Sequence, residues 1–288
     1  MDDRSPGCGG PARKFRGTAG FAIGIFLTAW LMFPVAGQAG AYRFGVVPQF
    51  APERILATWE PILAAVGSRS DAPLQLSVPR TIPYFEQEFR RGAYDFAYMN
   101  PYHSLMADRA QGYYPIIRDG GRQLYGIVVV RKDSPIRKIT DLAGRRVAFP
   151  APNALGASLI VRAELARTYR TEIEPVWAET HSSSYLNVVL GVTDAAGGVM
   201  STFLRQKHEV RDRLRIIYET PRVAAHPIVA HPRVPKDVVE RVRDTFLEYS
   251  GETEGAARVG RIPMKAPTVA TAEDYTALKE MNLDAYVK

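Results

Sequence analysis

Residues 145–165 read RRVAFPAPNALGASLIVRAEL, and the organisation of the chain follows from them. Val147, Ala148 and Phe149 form a short apolar run that stops at Pro150, as a buried strand does. Leu159, Ile160, Ala163, Leu165 and Ala166 then recur at helical spacing, which predicts a helix from 157 through 165. A strand, a loop and a helix N-terminus therefore follow one another. Asn153 is the expected N-cap, and Gly156 lets a ligand approach the backbone. The first N–H groups of a helix have no intrahelical partner, so this turn suits a small anion.

The same alternation continues outward. Towards the N-terminus, 42–47 is an apolar strand ending at Pro48. It is followed by a helix over 52–66 with Ile55, Leu56, Trp59, Ile62, Leu63 and Val66 on one face. Strands at 74–78 and 94–99 flank a helix at 83–91, and Asn100, Pro101, Tyr102 and His103 open another that runs through Ala110. Towards the C-terminus come a β-branched strand at 125–131, a short helix in IRKITDLAGRR and a strand near Val176 and Trp177. After these come a helix in SYLNVVLG and a small-residue strand at 195–200. Strands at 214–218 and 228–230 and helices at 235–250 and 272–281 complete the chain. Strands alternating with helices predict an α/β fold with mainly parallel sheets, whose ligands gather at the carboxyl ends of the strands.

Of the 288 residues, 46% are hydrophobic and 23% charged, a globular composition long enough for two domains of about 100–150 residues each. Residues 1–41 stand apart. Arg4, Arg13, Lys14 and Arg16 precede an uncharged apolar run over 21–35, and small residues follow at Ala36, Gly37, Ala39 and Ala41, the three-part pattern of a secretory signal. Cleavage after Ala39 or Ala41 is expected; a retained N-terminal anchor is the alternative. The single cysteine, Cys8, precedes the apolar run, so it leaves with the signal and the mature chain has no disulfide or thiolate site. Losing four basic and two acidic residues takes the net charge from +7 to +5. Lys and Arg are scattered rather than clustered with aromatics, so no nucleic-acid partner is expected.

At this point the chain resembles a known family. The ordered segments GVVP, TWEPIL, YDFAYMNPYH, GIVVVRKDSPI, DLAGRRVAFPAPNALGAS, THSSSYLNVVLG and GGVMS span 42–288. They look like the periplasmic phosphate, phosphite and phosphonate substrate-binding proteins of ABC importers. The resemblance implies a two-lobed type II periplasmic binding protein fold. Lobe one would be 42–125 plus 222–288 and lobe two 126–221, joined by crossing strands near 126–131 and 216–222. It also implies a monomer that captures a small anionic ligand in the interlobe cleft and meets an ABC permease or membrane sensor. Tyr102 matches an aromatic that faces the family's cleft. His181 matches a histidine at the head of a helix, with Ser182 and Ser183 beside it. The family's Ser/Thr run before the glycine corresponds here to Asn153, Ala154 and Leu155, ahead of Gly156 and Ala157. The acidic residue that often follows the small-residue strand corresponds to Met200.

No paired carboxylates, GxSxG elbow or Walker loop occurs, so neither an enzyme nor a cofactor is expected. Ser182, Ser183 and Ser184 adjoin His181 on one turn, which does not give triad geometry. A soft-metal or metal-complex binder on the same fold is the alternative, drawing on Met99, His103, His181, Met200, His226 and His231. His226 and His231 each precede a proline and read as strand ends on the hinge side.

Overall fold

The computed structural model describes Lys14, residues 40–262 and residues 264–287; the export signal expected in residues 1–41 falls almost wholly outside them. Among the described residues no helix is long and apolar enough to cross a membrane. Residues 39–288 form one compact unit, within which two sheets each carry their own helices.

The first sheet begins with β1 (Tyr42–Val46), β2 (Leu74–Ser77), β3 (Phe96–Tyr98) and β4 (Tyr114–Asp119), linked by α1 (Pro52–Arg69), α2 (Ile82–Arg90) and α3 (Pro101–Gln111). Asn100 caps α3, its Oδ1 accepting from the His103 N–H at 2.8 Å. The chain leaves through β5 (Gln123–Leu124) and β6 (Gly126–Arg131) to build the second sheet from β7 (Arg146–Phe149), β8 (Glu174–Trp177), β9 (Ala195–Val199) and β10 (Leu214–Glu219). Its helices are α4 (Ile160–Arg167), α5 (His181–Val189), α6 (Met200–Phe203) and α7 (His208–Arg211). It returns through β11 (Val223–Ala224) to β12 (Ile228–Ala230), α8 (Lys236–Gly251), α9 (Thr253–Val259), β13 (Pro267–Val269) and α10 (Thr276–Glu280).

The six-stranded sheet runs β13-β4-β12-β3-β1-β2 and the five-stranded sheet β10-β6-β9-β7-β8. The parallel pairs expected from strand–helix alternation are β1 with β2 and β3, and β7 with β8 and β9. The other pairs are antiparallel; those of β6, β10 and β12 are so because these strands enter or leave a sheet at the crossings rather than through a βαβ return. At the two crossings, β5 pairs with β11, and Gly126 is tied to Thr220 by a backbone bond of 2.9 Å and by its N–H to the threonine hydroxyl at 2.7 Å.

The strand β4 is absent from the periodicity reading. Pro115 lies in its alternating pattern, and the strand is secured by β12 and β13, which arrive more than a hundred residues later. Helix α9 and strand β13 are likewise additions that local pattern did not mark.

Candidate functional site

A small cavity lies where the two sheets meet. It is lined by Val47, Gln49, Ile82, Asn100 and His226 from the first sheet's side and by Ala154, Leu155, Gly156, Ala157, His181 and Val199 from the second's. The centre of a water-sized sphere has about 10 Å³ in which to sit, room for about one water molecule.

The turn after β7 is built differently from the helix expected there. Residues 155–159 form a π turn, with Leu159 N–H bonded to Ala154 O at 3.1 Å and Ile160 N–H to Leu155 O, before α4 begins. Wide turns of this kind recur at functional sites. The cap position belongs to Ala154, which has no side-chain oxygen to offer, so Asn153 is not the N-cap. Instead the Asn153 amide donates to Glu86 Oε2 at 3.0 Å, and its carbonyl accepts from Asn100 Nδ2 at 3.3 Å. The N–H groups of Leu155, Gly156 and Ala157 make no hydrogen bond to another described residue.

Two glycines let this turn lie directly on the sheet. A Cβ at Gly126 would overlap the Gly156 carbonyl, and one at Gly197 would overlap the Ala157 carbonyl. The small residues of AAGGV thus have a steric reason: the turn that carries the free N–H groups rests on β6 and β9 with no side chain between.

His181 is the first residue of α5, whose cap is Thr180, with its hydroxyl accepting from Ser183 N–H at 3.0 Å. The imidazole is 3% exposed, and burial pushes its pKa down to about 3, so it is neutral. Its Nδ1 lies 3.3 Å from Thr202 Oγ1, which also touches Tyr185 Oη at 3.0 Å. His226 faces it across the cavity wall. Burial first, then the nearby His181 and His103, push its pKa to about 3 as well. Its Nε2 is 3.1 Å from the Gln49 amide nitrogen, which can only donate, so the His226 proton sits on Nδ1. The sequence marks His226 only as a strand end; the signal that could have placed it at the cavity is a second strand end with a proline, HP at 226–227, matching VP at 47–48.

The other expected contacts lie elsewhere. Tyr102 lines a separate recess with Arg109 and Asp284, and its hydroxyl bonds the Asp284 carboxylate. It is the second residue of α3, whose cap Asn100 does line the cavity. Ser183 pairs its hydroxyl with Thr180 at 2.8 Å, and Ser182 is not among the lining residues. Met200 opens α6 half-buried and packs on the core around Tyr185 and Phe203, because β9 ends one residue earlier, at Val199. Of the residues proposed for a metal, only His181 and His226 reach the cavity; His103 Nε2 is held by Glu86 at 3.1 Å, and His231 Nδ1 accepts from the Arg233 N–H. Among the described residues no group of three His, Cys, Asp or Glu is placed to hold a metal ion.

Hydrogen bonds also run from one lobe to the other away from the cavity lining. Besides the Asn153 pair, Arg162 donates to Tyr286 O at 2.8 Å, Arg167 to Met281 O at 2.8 Å, and Arg205 to Ile262 O at 2.6 Å. Burial acts to raise the pKa of Glu86, but the His103 and Asn153 hydrogen bonds outweigh it and hold the carboxylate below its ordinary range.

Two sheets joined by two crossings, with a cavity between them at the ends of β1, β3, β7 and β9, define a type II periplasmic binding protein. The chain belongs to the family described as ABC transporter, phosphonate, periplasmic substrate-binding protein, whose model matches residues 44–275. It is 20% identical over 246 residues to the phosphonates-binding periplasmic protein of Escherichia coli K12, covering 80% of this chain and 73% of that one. Among solved structures it is similar to PhnD1 of Prochlorococcus marinus in complex with methylphosphonate, with a TM-score of 0.76, 13% identity and coverage of 84% and 97%. A binding-protein component of an ABC phosphonate transporter from Pseudomonas aeruginosa gives a TM-score of 0.73, 16% identity and coverage of 84% and 85%.

Proposed function

We propose that the chain is exported to the periplasm and captures a small oxyanion of the phosphonate, phosphite or phosphate type for delivery to an ABC permease. The observation that carries this reading is the set of N–H groups on Leu155, Gly156 and Ala157 that have no partner among the described residues. They lie on residues that line a cavity with two neutral histidines and no carboxylate. Fixed dipoles of this kind hold an anion without a counter-charge. The Thr202 hydroxyl has one proton, which can go to Val199 O at 2.9 Å or to His181 Nδ1 at 3.3 Å; an anion selects the second arrangement, in which His181 Nε2 keeps its own proton as a donor. The turn lacks the hydroxyls of a Ser/Thr run, so the ligand is held by fewer side-chain donors than the family pattern provides.

The rigid bodies in this reading are 42–125 with 222–288, and 126–221, hinged at the two crossings. A tetrahedral oxyanion is larger than one water molecule, so the lobes part to admit it and their contacts re-form around it. Calorimetry and thermal shift with methylphosphonate, phosphite, phosphate, sulfate, Cu²⁺ and Zn²⁺ test the reading. A phosphorus oxyanion at a hundred times its Kd stabilises the folded chain by about 2.7 kcal/mol. Stabilisation by the metal ions alone, with none by any phosphorus oxyanion, refutes it.

A further inference from the structure

A second space adjoins the cavity and shares Val47 and Gln49 with it. Tyr98 stands between the two. Its ring packs on His226 with centroids 5.4 Å apart and on Trp59 with centroids 5.0 Å apart, and Trp59 lines the second space. The Tyr98 side chain is 1% exposed, yet its hydroxyl has no hydrogen-bond partner. A buried hydroxyl left unpaired is destabilising, so it is a standing donor for whatever enters.

The charged side chains that line this space are of one sign. Arg54 and Arg261 line it, and no Asp or Glu does. Arg205 reaches in from the other lobe, donating to the carbonyls of Gly260 and Ile262 on either side of Arg261, while its own carbonyl accepts from Arg54 at 3.3 Å. Unlike Arg43, Arg69, Arg118 and Arg233, these three guanidiniums form no ion pair with any described carboxylate. Arg54 lies over the Phe50 ring at 3.9 Å, which holds it at the mouth without neutralising it. An ammonium group entering here meets guanidinium groups on the lining, and the carboxylate that acts on Tyr98, Asp119, is already taken up by the N–H groups of Gly121, Lys265 and Ala266. A carboxylate meets the Tyr98 hydroxyl at the inner end and guanidinium groups at the outer one.

We propose that this space is the subsite for the ligand's substituent, and that it selects an oxyanion bearing a second acidic group on a short carbon chain, such as a phosphonocarboxylate, over one bearing an amine. This rests on the oxyanion reading above, with the phosphorus group in the first cavity. Titration calorimetry on the exported full chain at low ionic strength, with methylphosphonate, phosphonoacetate and 2-aminoethylphosphonate, separates the two. Phosphonoacetate binds at least tenfold more tightly than methylphosphonate, and 2-aminoethylphosphonate more weakly than either. Arg54→Gln lowers the affinity for phosphonoacetate at least fivefold more than that for methylphosphonate, and Tyr98→Phe, which keeps the ring, does the same. If methylphosphonate binds but phosphonoacetate gains nothing over it, or the amine is preferred, the subsite is overturned and the oxyanion cavity stands. If no phosphonate binds, the subsite falls, and the oxyanion reading falls with it only if phosphite and phosphate fail to bind as well.

Discussion

Gly126→Ala puts the contact between the ligand turn and its sheet to the test. The new Cβ would overlap the Gly156 carbonyl oxygen, with the Gly156 carbonyl carbon 2.7 Å away. Ordinary non-bonded separation is about 3.5 Å, so the turn has to move by about an ångström. The obstacle is backbone, with no flexible side chain to swing aside. Overpacking of this kind costs about 1–3 kcal/mol of stability. The same movement carries the N–H groups of Leu155, Gly156 and Ala157 off their positions. Losing one hydrogen bond to a charged ligand, worth about 1.5–3 kcal/mol, raises Kd about tenfold to a hundredfold. Chemical denaturation and calorimetry with methylphosphonate read the two effects. Gly251→Ala is the control: its Cβ meets nothing within 4 Å, so stability holds or rises and binding stays the same. If Gly126→Ala melts and binds like the parent, the turn does not rest on β6 as described.

His181→Ala, which removes the cavity imidazole on α5, raises the Kd for methylphosphonate about tenfold or more, measured by calorimetry. Tyr102→Phe loses the bond to Asp284 and leaves that Kd at the parent value; a tenfold loss would return Tyr102 to the ligand site. His181 and His226 have pKa values of about 3 when folded against an ordinary 6.5, so the unfolded chain binds more protons between those limits. Stability therefore falls as pH drops from about 6.5 towards 3, each imidazole adding about 1.4 kcal/mol per pH unit to the slope below its unfolded pKa. Denaturant midpoints from pH 7 to 4 check this, and His226→Gln should flatten the slope by about half.

Much of the fold was legible along the chain because the pattern that marked it is local. The periodicity of 52–66 places Ile55, Trp59, Ile62, Leu63 and Val66 in the core, as α1 does. Asn100 before Pro101 marks a helix start whose cap the structure displays. The turn after β7 was found as a loop between strand and helix, and Ala154, Leu155, Gly156 and Ala157 line the cavity. Tyr102 and Asn153 show where local reading stops. One lies on a capped helix near the site and the other in the loop itself, yet each side chain is drawn to a carboxylate distant in sequence, Asp284 and Glu86.

By itself the sequence determined the strand–loop–helix unit at 145–165, the small-residue strand AAGGV and the histidine at the head of α5. Each is written in residues that touch their own neighbours along the chain. Only the tertiary structure decided that His226 stands beside His181, that Asn153 links the lobes through Glu86, and that Arg54, Arg205 and Arg261 crowd one mouth without a carboxylate. Those groupings join residues 45 to 207 positions apart, brought together by chain crossings that no local spacing records. Burial completes the difference, because a histidine is a neutral donor or a cation according to how much water reaches it, and water is excluded only once both lobes are in place.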